Sequence, residues 1–411
     1  MKNFATVLVL TILSAYIKAG ADYLVTGYPN LHWMFQTNIH EYVHYIETAQ
    51  NNGVQIIVFP EYGLTGMVED PTEYAIEIPE VNSGNRFDNY WLHLLSTAAY
   101  EHTMYVVVNL LEKANNENNE TVYYNTNIVF DKTGTIVAKY RKINLFFEPR
   151  LTPGNESVTF ATDFGITFGL LTCFDILYYN PSRKILVDSF ATDVIYPAAW
   201  TSTLPFYHSL TIHSGYSLGN GVNLLASNLN IPSRGISGTG IYGHDGTVLS
   251  YYLSGTTSSR MLIGSLTPRG VPRAAEETET PTFQTRGFNI LGNETETHDL
   301  RNFVTARDFN TRNYQFQDLE LTNANTLQTV CHGSFCCNFN VSLSDISSSG
   351  YYKFLVYNGL ANLGGSDSSI KVCTIIACET SDSSTCGNRN ISLSTRFSAI
   401  SVTGDFEKNR R

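Results

Sequence analysis

The sequence contains few charged residues and, apart from its extreme tail, no run of more than two basic ones. Only 15% of its 411 residues are charged, whereas 43% are hydrophobic, and this balance excludes an intrinsically disordered chain. The 26 basic residues are outnumbered by 37 acidic ones, which gives a net charge of −11. Because a phosphate-binding surface needs an excess of positive charge, no nucleic-acid partner is expected.

Long apolar runs are also scarce. The one near the start extends from Phe4 to about Tyr16, follows Lys2 and precedes the small residues at 19–21. It is too short to span a bilayer and is typical of a secretory signal peptide. We therefore predict a signal peptide over residues 1–21 and a secreted, extracellular protein. The last residues are polar, so neither a transmembrane nor a lipid anchor is expected.

Five Asn-x-Ser/Thr sequons agree with a secreted glycoprotein. These candidate glycosylation sites are Asn119, Asn155, Asn293, Asn340 and Asn390.

Cysteine is sparse and its number, seven, is odd. Six cysteines lie near the C-terminus, and they are disulfide candidates with fifteen possible connectivities. We expect the adjacent Cys336 and Cys337 to pair with different partners. No Cys-x-x-Cys spacing occurs, so a metal cluster is not expected. The six are Cys331, Cys336, Cys337, Cys373, Cys378 and Cys386.

The first two-thirds of the chain alternates helix-like and strand-like segments. Apolar residues recur at helical spacing over 39–49, with Asn38 as the expected N-cap, and a buried strand is predicted over 54–59. A second helix over 87–98 and a second strand over 104–111 follow. This β-α-β order predicts an α/β fold. A first strand is expected near Tyr23–Gly27.

The composition changes after about residue 266, where Pro, Arg, Glu and Thr become frequent. From Tyr314 the chain has little helical periodicity and holds the six clustered cysteines. We predict a catalytic domain over residues 22–285 and, with its linker, a smaller disulfide-stapled, mostly β domain over 286–411.

Three residues that could carry chemistry each follow a predicted strand. Glu61 comes directly after an apolar strand, Lys142 follows the second strand of a hairpin, and Cys173 stands where a strand ends and a short helix begins. The helix N-terminus is expected to favour the Cys173 thiolate. Taken singly, each also has an ordinary structural interpretation: Glu61 as a solvated loop acid, Lys142 as a surface lysine and Cys173 as a small buried hydrophobic residue. Their spacing does not prove that they converge.

The motifs around these residues resemble those of the nitrilase superfamily. The matching segments are Phe59–Gly66, Tyr140–Glu148 and Leu171–Leu177. The similarity is strongest to the exported branch of vanins (pantetheine hydrolases) and biotinidase. That branch also has counterparts of Tyr196–Trp200, Ser237–Tyr242 and the C-terminal cysteine pattern.

The resemblance implies an αββα sandwich that hydrolyses a non-peptide carbon-nitrogen bond in a linear amide. It gives Cys173 the role of nucleophile and Glu61 that of general base. Lys142 and the N–H of Phe174 would stabilise the oxyanion. Glu148 would be a second glutamate, and Trp200 would line the substrate cleft.

Pantetheine, cleaved to pantothenate and cysteamine, is the favoured small-molecule substrate. The alternatives are hydrolysis of biotinyl amides and a non-catalytic binding protein with this fold. No cofactor is implied, and either a monomer or a dimer is compatible with the sequence.

One rival motif points to another reaction class. His40-Glu41-Tyr42-Val43-His44 matches the zinc signature His-Glu-x-x-His. However, the apolar face of this predicted helix lies away from both histidines. We therefore expect His40 and His44 on the solvated side of the helix, and no metal.

Overall fold

A computed structural model of the protein describes residues 5–11, 31–189, 191–266, 300–307, 313–344, 350–363, 366–388 and 395–406. The chain divides into two compact units. The first comprises Met1–Ser202, Ser209–Val271 and Ile290–Val304, and the second comprises Thr203–His208, Pro272–Asn289 and Thr305–Arg411. The predicted boundary at 285/286 lies outside the described residues.

The first unit contains two six-stranded sheets and the α-helices. The helices are α1 (Leu31–Asn51), α2 (Tyr90–Glu101), α3 (Lys184–Asp188) and α4 (Ser209–Asn220). The strands up to residue 266 are β1 (Ala5–Thr11), β2 (Ile56–Val58), β3 (Tyr105–Asn115), β4 (Thr121–Phe130), β5 (Ile136–Arg141), β6 (Thr159–Ala161), β7 (Thr167–Leu170), β8 (Asp193–Ala198), β9 (Thr203–Leu204, in the second unit), β10 (Asn223–Asn228), β11 (Thr239–Tyr242), β12 (Val248–Tyr252) and β13 (Arg260–Leu266).

The strand orders are β13-β1-β2-β3-β4-β5 in one sheet and β12-β11-β10-β8-β7-β6 in the other. In the first sheet β1, β2 and β3 run parallel, and in the second β7, β8 and β10 do. Parallel neighbours present their carboxyl ends at one edge, where ligand sites of such sheets form.

Alternation along each strand explains how the two sheets pack. Val58 and Val107 face inward, where they meet residues of the second sheet such as Leu170 and Ile195. Their neighbours Ile57 and Val106 face outward, against α1 and α2. Helix α4 packs on β10 and β11 of the second sheet. Because both faces of the central strands are covered, these strands read as continuous apolar runs. The predicted αββα sandwich is confirmed.

Helix α1 begins earlier than the sequence predicted. Phe35 extends the buried face of Ile39, Tyr42 and Ile46 by one turn, so that Asn38 lies inside the helix. The prediction of Asn38 as N-cap is therefore wrong. Its buried side chain instead donates to the Leu64 carbonyl at 2.9 Å.

The position of the first strand differs from the expectation. The segment Tyr23–Gly27 lies outside the described residues, whereas β1 pairs with both β13 and β2. Strand β1 falls within the predicted signal peptide, so cleavage after residue 21 would remove it from the sheet. Among the helices that the structure describes, none has the length and apolar character of a membrane span.

The second unit is mostly β-structure held by disulfides. Sheets β15-β18-β19 and β16-β17-β20 contribute to a shared apolar cluster that includes Cys337, Phe339 and Phe354. The disulfides are Cys331–Cys336, Cys337–Cys373 and Cys378–Cys386, which confirms that Cys336 and Cys337 pair with different partners. The strands are β14 (Ala306–Arg307), β15 (Gln315–Leu319), β16 (Asn325–His332), β17 (Phe335–Leu343), β18 (Tyr351–Leu363), β19 (Ser366–Cys378) and β20 (Phe397–Gly404).

Candidate active site

The segments that follow three strands line a single cavity of about 660 Å³ in the first unit. Glu61 follows β2, Lys142 follows β5 and Cys173 follows β7. Glu148, six residues after Lys142, also lines the cavity. The three residues that the sequence singled out, and the glutamate that the family resemblance added, therefore line one cavity.

The Glu61 carboxylate is 1% exposed and is held by three donors. Its Oε1 accepts hydrogen bonds from Lys142 Nζ and from Asn125 Nδ2, both at 2.8 Å. Its Oε2 accepts from the Ala199 N–H at 2.7 Å. Both carboxylate oxygens are thus occupied from fixed directions, so the side chain has one defined orientation.

Lys142 bridges two carboxylates in a dry environment. Its ammonium lies 2.8 Å from Glu61 Oε1 and 2.7 Å from Glu148 Oε2, and its side chain is 2% exposed. Burial alone would lower the pKa of Lys142, but the charges of Glu61 and Glu148 raise this pKa well above its usual value. Burial opposes ionisation of Glu148 in the same way, yet the Lys142 ammonium holds the pKa of Glu148 below its usual value. Lys142 and Glu148 are therefore both charged at neutral pH.

Cys173 is buried at the start of a short 3₁₀ turn, Cys173–Leu177, and is the free cysteine among the described residues. Burial, and secondarily the negative charge of Glu61, raises the pKa of Cys173 well above its usual value, although Lys142 acts in the opposite direction. Desolvation of the buried sulfur thus opposes the effect that was expected from the helix N-terminus, which would favour the thiolate. The resting group is a thiol, which requires a base for attack.

Three residues around the site have left-handed backbone conformations that L-residues seldom adopt. They are Tyr62 (φ 57°), Phe147 (φ 51°) and Cys173 (φ 45°). Each such residue costs on the order of 1 kcal/mol or more and persists only where its surroundings fix it. The Tyr62 N–H donates to Asn109 Oδ1 at 2.9 Å, and the Cys173 carbonyl accepts from the Tyr196 hydroxyl at 2.7 Å.

Asp175 ties the turn after Cys173 to the loop after Lys142, a role that the sequence analysis missed. Its carboxylate accepts hydrogen bonds from the Tyr140 hydroxyl at 2.6 Å, the Thr172 N–H at 3.0 Å, and the N–H and Nδ2 of Asn144 at 2.8 and 2.9 Å. Burial raises the pKa of Asp175 to about 6, against the effect of these donors. The Thr172-x-x-Asp175 spacing, typical of a capping box, was the available signal.

Neither of the two aromatic candidates, Phe174 and Trp200, is among the residues that line the cavity. The ring of Phe174 packs on Phe146, with centroids 4.9 Å apart. Trp200 is 5% exposed and does not line the cavity, whereas its neighbours Ala199 and Thr201 do. The prediction that Trp200 lines the cleft is therefore wrong, because side chains alternate in direction along extended chain. The backbone N–H of Trp200 donates to Asn228 Oδ1 at 2.8 Å. Together with the burial of its side chain, this places Trp200 in the packed interior.

Those of the predicted glycosylation sites and of the two histidines that the structure describes lie at the surface. The sequons Asn119, Asn155 and Asn340 are exposed, while Asn293 and Asn390 lie outside the described residues. His40 and His44 are exposed on α1, as expected. Within the described part of the chain, no three or more His, Cys, Asp or Glu residues are arranged to hold a metal ion.

Two family models match consecutive parts of this chain, and curated relatives match most of its length. Residues 25–257 match the carbon-nitrogen hydrolase family, and residues 303–411 match the vanin C-terminal domain. Vanin-like protein 1 of Drosophila melanogaster is 34% identical over 84% of this chain, which spans 65% of that relative. The pantetheinase of Bos taurus is 31% identical over 88% of this chain, which spans 72% of that relative.

The fold is also that of a solved nitrilase-superfamily structure. Nit3 of Saccharomyces cerevisiae superposes with a TM-score of 0.52 at 19% identity, over 67% of this chain and 98% of that protein. The family match covers more than half of the sequence, and it agrees with the sandwich and with the polar cluster at the ends of its strands. The chain therefore belongs to the carbon-nitrogen hydrolase family, in the group that carries a vanin C-terminal domain.

Proposed function

We propose that the protein is an exported amidase that hydrolyses pantetheine to pantothenate and cysteamine through a thioester on Cys173. One observation carries this proposal: a buried carboxylate, a buried ammonium and a buried thiol line the same cavity. The similarity to pantetheinases supports the choice of substrate class.

In the first half of the reaction, Cys173 Sγ attacks the amide carbonyl carbon while its proton passes to the Glu61 carboxylate. General-base assistance is required because the raised pKa of Cys173 keeps the resting group protonated. The carbonyl oxygen becomes an oxyanion beside the Lys142 ammonium and the Phe174 N–H. Each such donor is typically worth about 3 kcal/mol in the transition state. The carbon-nitrogen bond then breaks, and Glu61 returns the proton to the departing amine.

In the second half, a water molecule attacks the thioester carbonyl and gives a proton to Glu61. Collapse of this intermediate releases the carboxylic acid, and the Cys173 sulfur regains its proton. Glu61 thus acts alternately as base and acid, a task that needs one fixed carboxylate orientation. The three hydrogen bonds to its oxygens support this assignment.

Glu148 is proposed to hold Lys142 in place. Its Oε2 accepts from the Lys142 ammonium, and its Oε1 accepts from Asn125 Nδ2 at 2.9 Å. The Tyr62 hydroxyl and the Phe146 N–H also donate to this carboxylate. The apolar part of the cavity wall would accept the uncharged chain of the substrate. It includes Met67, Val68, Leu111, Phe146, Phe147 and Leu151.

Export is proposed from three independent features. The three disulfides of the second unit are typical of an oxidising compartment. Three of the sequons are exposed, where an oligosaccharide could be attached. The apolar run at 4–16 supplies the expected signal sequence.

The test compares the rate of amine release from pantetheine with that from biocytin, using the purified protein. We expect kcat/KM for pantetheine to exceed that for biocytin at least tenfold. Iodoacetamide should abolish the activity, while a metal chelator should leave it unchanged. A rate on biocytin ten times that on pantetheine would reject pantetheine as the substrate. A protein that hydrolyses neither amide would reject the proposal that it is an enzyme.

A further inference from the structure

Three buried asparagines connect the two sides of the proposed catalytic centre. Asn109 lies on β3, and Asn125 and Asn127 lie on β4. Asn109 faces Asn127 directly in the antiparallel register. Each of the three is at most 2% exposed, so their polar atoms have no access to bulk water.

Asn125 holds the carboxylate side of the site. Its Nδ2 donates to Glu61 Oε1 at 2.8 Å and to Glu148 Oε1 at 2.9 Å. The amide therefore joins the same two carboxylates that Lys142 joins, without adding charge. Its Oδ1 accepts from Asn109 Nδ2 at 2.6 Å.

Asn127 holds the nucleophile side. Its Nδ2 donates to the Leu171 carbonyl at 3.1 Å and to Thr172 Oγ1 at 2.9 Å, directly before Cys173. Its Oδ1 accepts from Asn109 Nδ2 at 2.9 Å. Leu171 and Thr172 follow β7 of the second sheet, so this amide spans the sandwich.

Asn109 joins the two halves. Its Nδ2 donates to both other asparagines, and its Oδ1 accepts from the N–H of Tyr62, the residue after Glu61. The orientation of each amide is fixed by a partner with a single role: the carboxylates accept, the Tyr62 N–H donates and the Leu171 carbonyl accepts. A buried network in which every member is satisfied is rigid, and a break at one point leaves other groups unpaired.

We propose that Asn109, Asn125 and Asn127 are positioning residues, a relay that fixes the general base relative to the nucleophile turn. This inference rests on the proposed roles of Glu61 and Cys173. Asn109 is the decisive member, because its side-chain hydrogen bonds go to neither of those side chains and it does not line the cavity. Its effect on the reaction must therefore pass through the other two amides or through the Tyr62 backbone.

The test uses Asn109→Ser and a matched control, Asn223→Ser. Asn223 is a strand asparagine that is 1% exposed, donates to Asp193 at 2.7 Å and does not line the cavity. With both variants folded, we expect Asn109→Ser to lower kcat by about tenfold or more and to change KM by less than about threefold. The reason is that a small displacement of a catalytic group lowers the reaction rate strongly. The alkylation of Cys173 by iodoacetamide should slow in parallel. The control should stay within about twofold for each quantity.

A folded Asn109→Ser protein with normal kcat and normal alkylation would overturn the inference, as would an equal loss in the control. If Asn109→Ser does not fold, a double-mutant cycle of Asn125→Ser and Asn127→Ser decides. A relay predicts that the double variant is no slower than the worse single variant, and multiplying effects would contradict it. Activity retained in Cys173→Ser would instead reject the proposed function, whereas the alkylation rates would still report on the relay.

Discussion

Replacement of Lys142 by methionine removes the charge that holds two buried carboxylates together. At an effective dielectric constant of about 20, each contact of the ammonium corresponds to an attraction of about 6 kcal/mol. Desolvation of the three ions offsets most of this energy. Removal of one partner from a buried ion pair typically destabilises a protein by about 3 to 5 kcal/mol, so we expect the free energy of unfolding of Lys142→Met to fall by about 4 kcal/mol.

The loss should depend on pH. In the native protein Lys142 holds the pKa of Glu148 low, and without it burial raises that pKa above its value in the unfolded chain. A carboxyl whose folded-state pKa is raised contributes stability at low pH that disappears as pH rises through that pKa. Lys142→Met should therefore be destabilised most above pH 7 and least near pH 5.

The assay is urea unfolding at pH 5 and pH 7.5, with kcat on pantetheine measured for the folded protein. Loss of the oxyanion donor should lower kcat by about 100-fold. The control is Lys139→Met, on β5, whose ammonium pairs with Glu80 at 3.2 Å and lies 3.7 Å from Glu112. Because Glu80 is largely exposed, and because the buried Glu112 keeps its two hydrogen bonds from Arg141, this variant should lose about 1 kcal/mol or less and keep its kcat. A Lys142→Met protein that matches this control in both quantities would refute the reasoning.

Two further predictions concern the surroundings of the site. The pKa of Asp175 is about 6 in the folded protein, against an ordinary value of 3.8. Between pH 4 and pH 7 the native protein should therefore lose about 2 to 3 kcal/mol of unfolding free energy relative to Asp175→Asn. If the difference between the two proteins did not change with pH, the conclusion that burial raises this pKa would be contradicted. Gly63→Ala would place a methyl group against the Tyr42 hydroxyl and should lower stability by about 1 to 3 kcal/mol, with kcat falling as the Glu61 loop moves. Gly215→Ala, in open space on α4, should cost nothing in thermal unfolding, and equal loss in both variants would argue against the clash.

Much of the architecture follows from the sequence because local pattern and tertiary environment agree. Strands such as 104–111 are buried on both faces, so they are continuous apolar runs that can be recognised without a structure. Glu61 and Cys173 stand out because a polar or reactive residue directly after such a run lies at the edge where sites form.

The features that the sequence could not predict depend on direction and distance. Ala199 and Thr201 line the cavity, whereas Trp200, which stands between them, does not. The local sequence pattern does not indicate which of these side chains face the cavity. The asparagines of the relay are unfavourable in strands, which is itself a signal, but their mutual bonds arise only when β3 and β4 pair. The thiol state of Cys173 likewise reflects burial in the tertiary structure rather than the turn that follows it.

The most direct test of the account is the turnover of pantetheine by Cys173→Ala, with thermal unfolding as a check that the variant is folded. The proposed mechanism uses no nucleophile other than Cys173 in its first step, so kcat should fall by a factor of about 10⁴ or more. A folded Cys173→Ala protein that hydrolyses pantetheine within tenfold of the native rate would contradict the mechanism.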